Sequence, residues 1–192
     1  MPLNMPMILT WARIVMIPMV VGVFYLPDVL LPAHWKNASA CVLFTLAAIT
    51  DGFDGYLARK YGQITRLGAF LDPVADKLMV CAALVVLLAL GRVDEFVALV
   101  IVGREITVSA LREWMAQIGA HASVAVSSLG KLKTAAQMVA IPMLLFHDRL
   151  FGVIDIGQIG TVLIYLAAVL TVYSMLYYLR MAWPHLAQRG AR

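Results

Sequence analysis

The chain has 192 residues, enough for about one domain, yet 62% of them are hydrophobic and only 14% are charged, a balance that excludes an ordinary soluble domain of that size. Mean hydropathy is +0.88, so the chain belongs in a membrane, and about six spans of roughly 20 residues each would leave no room for a separate soluble catalytic domain. The formal net charge of +4, from 15 Lys and Arg against 11 Asp and Glu, suits basic loops facing anionic lipid headgroups and disfavours nucleic acid as a partner.

Apolar runs predict helices over 8–26, 36–58, 69–90, 95–116, 125–146 and 157–182, and the expected fold class is an all-α integral membrane protein, one domain over 1–192 with six transmembrane helices. An even number of spans puts both termini on one side. That side, with the second and fourth loops, carries Arg13, Arg59, Lys60, Arg66, Arg112, Lys131, Lys133, Arg180, Arg189 and Arg192, against Lys36, Arg92 and Arg149 on the other, so the positive-inside rule places both termini in the cytoplasm. A cleaved signal peptide is the competing reading of the first span, but no Lys or Arg precedes it and no A-x-A site follows near Leu26. Pro18 and Pro142 predict bends within spans, and Pro27, Pro32, Gly91, Gly119, Gly152 and Pro184 fall near span ends. Cys41 and Cys81 lie in apolar runs without CxxC or Cys/His spacing, against both a disulfide framework and a zinc site.

The informative segment runs from Asp51 to Lys77. On a helix, Asp51 and Asp54 share a face that Gly55, Ala58 and Arg59 continue. Asp72 and Asp76 share a face at the start of the next helix, with Asp72 expected as its cap and Pro73 in its first position. A short loop joins the two helices, so they should be antiparallel neighbours with both acid pairs at one cytoplasmic depth. Four carboxylates cannot all stay ionised close together near a membrane. Arg59 and Lys77 can neutralise two, and an all-oxygen set without His or Cys suits Mg²⁺ or Mn²⁺, with two acid pairs suiting two ions about 3.5–4 Å apart. Such a pair clamps phosphates. A structural ion-pair cluster is the bland alternative, but it gains nothing from small residues beside it. A cation pathway in a transporter predicts acids at several depths, not one.

The order D-x2-D-G-x2-A-R-x8-G-x3-D-x3-D, met residue for residue from Asp51 to Asp76, resembles the signature of the CDP-alcohol phosphotransferases. That resemblance implies six membrane helices, a homodimer, and displacement of CMP from a CDP-linked substrate by an alcohol with the help of two divalent metals. It further implies that Asp51, Asp54 and Asp72 are metal ligands, and that Asp76 is a ligand or near neighbour serving as general base. Gly55 and Ala58 would leave room for the cytidine, Arg59 would lie near the diphosphate, and Gly68 would allow close helix approach.

Asn4, Pro6, Thr10 and Arg13, then Arg104-Glu-Ile-x2-Ser109-x-Leu-Arg112-Glu-Trp114, then Ser128-x-Gly130-Lys131-x-Lys133-Thr134-x2-Gln137 resemble the bacterial phosphatidylglycerophosphate synthases over nearly the whole chain. Many of those have a polar residue where this chain has Met7. The implied activity is transfer of the phosphatidyl group of CDP-diacylglycerol to sn-glycerol 3-phosphate, at the cytoplasmic face of the bacterial inner membrane. The same chemistry with serine, an inositol phosphate or phosphatidylglycerol is the alternative. Thr10 and Arg13 then join the CDP-diacylglycerol site, and Arg104, Arg112, Lys131 and Lys133 the glycerol 3-phosphate site. Physics agrees, because an acceptor with its own phosphate needs fixed cations. Arg104 and Arg112 lie about 80° apart around their helix and can flank one cavity, and Glu105 and Glu113 are expected to pair with some of these bases. Lys131 and Lys133 read equally well as ordinary loop charge. Arg104, about ten residues into its span, does not, since an unpaired guanidinium there costs several kcal/mol.

Overall fold

The computed structural model describes residues 5–61, 66–117, 128–150 and 152–189. Within them lie α1 (Met5–Gly22), α2 (Ala33–Tyr61), α3 (Arg66–Ala89), α4 (Glu95–Gln117), α5 (Ser128–Phe146) and α6 (Ile156–Arg189), with a 3-10 turn at Val23–Tyr25 and a hairpin of β1 (Arg149–Leu150) and β2 (Ile154–Asp155). The helices follow the apolar runs because a chain in lipid must satisfy its backbone within each segment. Side chains obey the same rule: the hydroxyls of Thr50, Thr107, Ser109 and Thr161 donate to the carbonyl four residues earlier. Asp94 and Asp155 start α4 and α6 by accepting from the backbone N–H of Phe96 and Gln158.

Met7–Tyr25 and Ile156–Met181 are long and apolar enough to cross a bilayer by length and composition. Val15, Val85, Leu99, Val162 and Val169 are each more than half exposed, an apolar exterior that suits lipid. Apart from the short hairpin the described fold is helical, and its apolar exterior fits a membrane protein.

Two expectations need correction. α3 begins at Arg66, so Asp72 does not cap it and Pro73 lies inside it; Leu67 to Leu71 extend the helix towards its start, and a membrane helix tolerates the one hydrogen bond that proline removes. Pro184 likewise does not end α6, which continues to Arg189. Pro18 and Pro142 do lie inside α1 and α5. Gly91 and Gly152 mark turns as expected, with φ of 65° and 72°, a region that favours glycine. Gly119 lies outside the described residues.

The chain gathers into two compact units, residues 1–93 with 140–161, and residues 94–139 with 162–192. In the first, α1 packs on α2 and α3. Ala40, Phe44 and Ala47 of α2 and Ala75, Met79, Ala83, Leu84 and Leu87 of α3 are buried there, and the four alanines let helices approach closely. Gly160 serves the same end, since a Cβ there would lie 2.9 Å from Leu144 Cγ.

Just past Gly91, Arg92 fastens three elements of this unit. Its Nη1 donates to the carbonyls of Leu144 at 3.2 Å and Leu145 at 2.8 Å, and its Nη2 donates to Asn37 Oδ1 at 2.8 Å. The last carbonyls of a helix have no partner within it, and the guanidinium supplies one for α5. Burial pulls the Arg92 pKa down from its ordinary value, and Asp148 opposes that. Arg92→Ala is expected to cost about 2–3 kcal/mol of stability, read as a lowered Tm in detergent; an unchanged Tm would show that the clasp carries no load.

The second unit buries Val97, Ala98, Ile101, Val108 and Met115 of α4 and Ile164, Ala167 and Ala168 of α6. Leu111, Trp114 and Met175 pack against Val108 and Met115.

Candidate functional site

Thr10 and Arg13 lie three residues apart on α1 and so share a face. Thr10 Oγ1 donates to Asp72 Oδ1 at 2.7 Å, and Arg13 Nη1 lies 2.6 Å from Asp51 Oδ1. One turn of α1 therefore holds a carboxylate from α2 and a carboxylate from α3. Asp76 is one turn further along α3 and half buried. The Arg13 side chain is 0% exposed and that of Asp51 is 42% exposed, so the carboxylate stays reachable while it neutralises a guanidinium whose isolated burial would cost several kcal/mol.

Asp54, Gly55, Ala58 and Arg59 occupy helical positions on α2, but their side chains, and that of Lys131, lie outside the described residues. Among the described residues no three His, Cys, Asp or Glu side chains form a group that could hold a metal. The donors that are described are nonetheless all oxygen, and two of them are already drawn to the same turn of α1. That chemistry fits a hard divalent cation such as Mg²⁺ or Mn²⁺ and not zinc or copper.

The second unit holds a basic cluster. Glu105 Oε1 lies 3.3 Å from Arg104 Nη1 and also pairs with Lys133 Nζ. Arg104 Nη2 lies 3.5 Å from Ser174 Oγ. Arg104 is 7% exposed and Lys133 only 1%. Among the described residues, two cations share this one carboxylate in a buried place, an excess of positive charge that suits an incoming phosphate. Arg112 lies on an exposed part of α4 two turns on. The expected pairing of Glu105 is present, whereas Glu113 makes no ion pair among the described residues. Ser174 was not anticipated, because a lone serine in an apolar span carries no spacing signal.

The profile of the CDP-alcohol phosphatidyltransferase family matches residues 3–173, a stretch containing every acid and base just described. Proteins named CDP-diacylglycerol–glycerol-3-phosphate 3-phosphatidyltransferase from Escherichia coli (strain K12) and Shigella flexneri are each 47% identical to this chain over 185 residues, covering 95% of this chain and 96% of theirs. A match of that length and identity establishes that the chain belongs to the CDP-alcohol phosphatidyltransferase family.

Proposed function

We propose that the protein transfers the phosphatidyl group of CDP-diacylglycerol to sn-glycerol 3-phosphate, giving phosphatidylglycerophosphate and CMP. The observation that carries this reading is the buried Arg104–Glu105–Lys133 cluster in a member of a CDP-alcohol family, since net positive charge calls for an acceptor that brings its own phosphate.

Asp76 takes the proton of the acceptor hydroxyl, whose oxygen attacks the lipid-side phosphorus; the bond from that phosphorus to the CMP oxygen breaks and CMP leaves. Thr10 and Arg13 fix the orientation of Asp72 and Asp51, so these carboxylates need little rearrangement during the reaction. Asp51, Asp54 and Asp72, with Asp76 as ligand or near neighbour, would hold two divalent ions, Mg²⁺ or Mn²⁺, which neutralise charge on the diphosphate. Gly55 and Ala58 leave space for the cytidine, Arg59 meets the diphosphate, and Gly68 lets its helix come close. Arg104, Arg112, Lys131 and Lys133 hold the acceptor's phosphate. In this reading residues 1–192 act as one domain with six spans and both termini in the cytoplasm. The protein works as a homodimer in the bacterial inner membrane, with its active site towards the cytoplasm, where one lipid and one soluble reactant meet.

The acceptor is tested by supplying proteoliposomes with Mg²⁺ and CDP-diacylglycerol and offering sn-glycerol 3-phosphate, serine, inositol phosphate and phosphatidylglycerol in turn. CMP release is expected with the first alone, and release with serine but not glycerol 3-phosphate rejects the assignment.

A further inference from the structure

Among the described residues of the second unit, three buried polar atoms have no hydrogen-bond partner: Gln137 Oε1, Thr171 Oγ1 and Arg104 Nε. Gln137 is 2% exposed and Thr171 0%. A buried amide oxygen left without a donor costs about 1–3 kcal/mol, and a membrane interior offers no bulk water to relieve it. Gln137 stands one turn beyond Lys133 on the same buried face of α5, and Lys133 is tied through Glu105 to Arg104. Thr171 stands one turn before Ser174, whose hydroxyl donates to the Thr171 carbonyl at 3.0 Å and lies against Arg104. Each of these uncharged groups thus stands one helical turn from a residue of the cationic cluster or from its neighbour Ser174. What the amide oxygen lacks is a donor, which a phosphate dianion does not offer and a hydroxyl does.

We infer that Gln137 determines acceptor specificity by accepting a hydrogen bond from the hydroxyl that does not react, while the cationic cluster holds the phosphate. This rests on the reaction proposed above and extends it: the site selects a polyol monophosphate over a simple hydroxyalkyl phosphate. In sn-glycerol 3-phosphate the hydroxyl read is the one on C2.

The test compares kcat/KM, from CMP release by the full-length protein in micelles with Mg²⁺ and CDP-diacylglycerol, for sn-glycerol 3-phosphate and for 3-hydroxypropyl phosphate, which lacks only the C2 hydroxyl. The wild type is expected to prefer glycerol 3-phosphate by at least about 30-fold, because a site built for a hydroxyl rejects the analogue without it. In Gln137→Met the preference should fall to within about threefold, entirely through loss on glycerol 3-phosphate, since the thioether offers only a weak acceptor. Equal losses on both acceptors would assign Gln137 to packing and overturn the inference. So would a wild type that uses both acceptors equally well, an outcome that needs no variant to fold. If the wild type releases CMP with some other acceptor and not with glycerol 3-phosphate, the assigned reaction falls and the inference falls with it, which separates the two failures.

Discussion

Asp72→Asn is expected to lower CMP release by about a thousandfold or more, because an ion that loses a charged ligand loses several kcal/mol of its hold on the phosphates, and each 1.36 kcal/mol is tenfold in rate. The substitution is informative because the amide keeps an oxygen where Thr10 Oγ1 now donates at 2.7 Å, so the tie between α1 and α3 survives and only the negative charge goes. Asp51→Asn should be as inactive but less stable, since it removes a negative charge 2.6 Å from the fully buried Arg13 guanidinium. Size-exclusion behaviour and Tm in detergent separate the two effects. Chelation by EDTA should silence the wild type and added Mg²⁺ or Mn²⁺ should restore it. Near-normal turnover by Asp72→Asn, or activity that ignores EDTA, would remove the metal from the mechanism.

Hydropathy located the helices because each apolar run must close its own backbone hydrogen bonds in lipid, a constraint that acts within a segment and is written in its composition. The start of α3, at Arg66, departs from the local sequence signal for a related reason. Asp72 followed by Pro73 carries a helix-start signal in water, but here Thr10 of α1 engages the carboxylate and the helix runs through the proline. The acid signature was legible from spacing alone, whereas its support from α1 was not: Thr10 and Asp72 are 62 residues apart, and no local pattern announces such a pairing. Glu105 and Glu113 looked equivalent as partners for the basic residues. The structure separates them by burial, since Glu105 is only 18% exposed beside Lys133, while Glu113 is exposed, where water and salt weaken an ion pair. Burial also separates Lys133 from an ordinary solvated loop charge. A lysine serving only as loop charge has no reason to sit 1% exposed against a carboxylate.

Lys133→Ala should therefore raise the KM for glycerol 3-phosphate by about 10- to 100-fold, the equivalent of one buried charge-assisted hydrogen bond, while leaving that for CDP-diacylglycerol within about threefold. The loss has two sources. The phosphate forfeits one cation directly, and Glu105, with Lys133 gone, keeps its pair with Arg104 and offsets more of that guanidinium's charge. Arg112→Ala should act in the same direction but more weakly, because its exposed position leaves water to compete for the guanidinium. Steady-state kinetics with each substrate varied in turn read both constants. A rise confined to the CDP-diacylglycerol constant would move these residues to the nucleotide side. A fall in kcat with both KM values unchanged would instead mean that Lys133 acts on the transition state, with the acceptor's phosphate bound elsewhere.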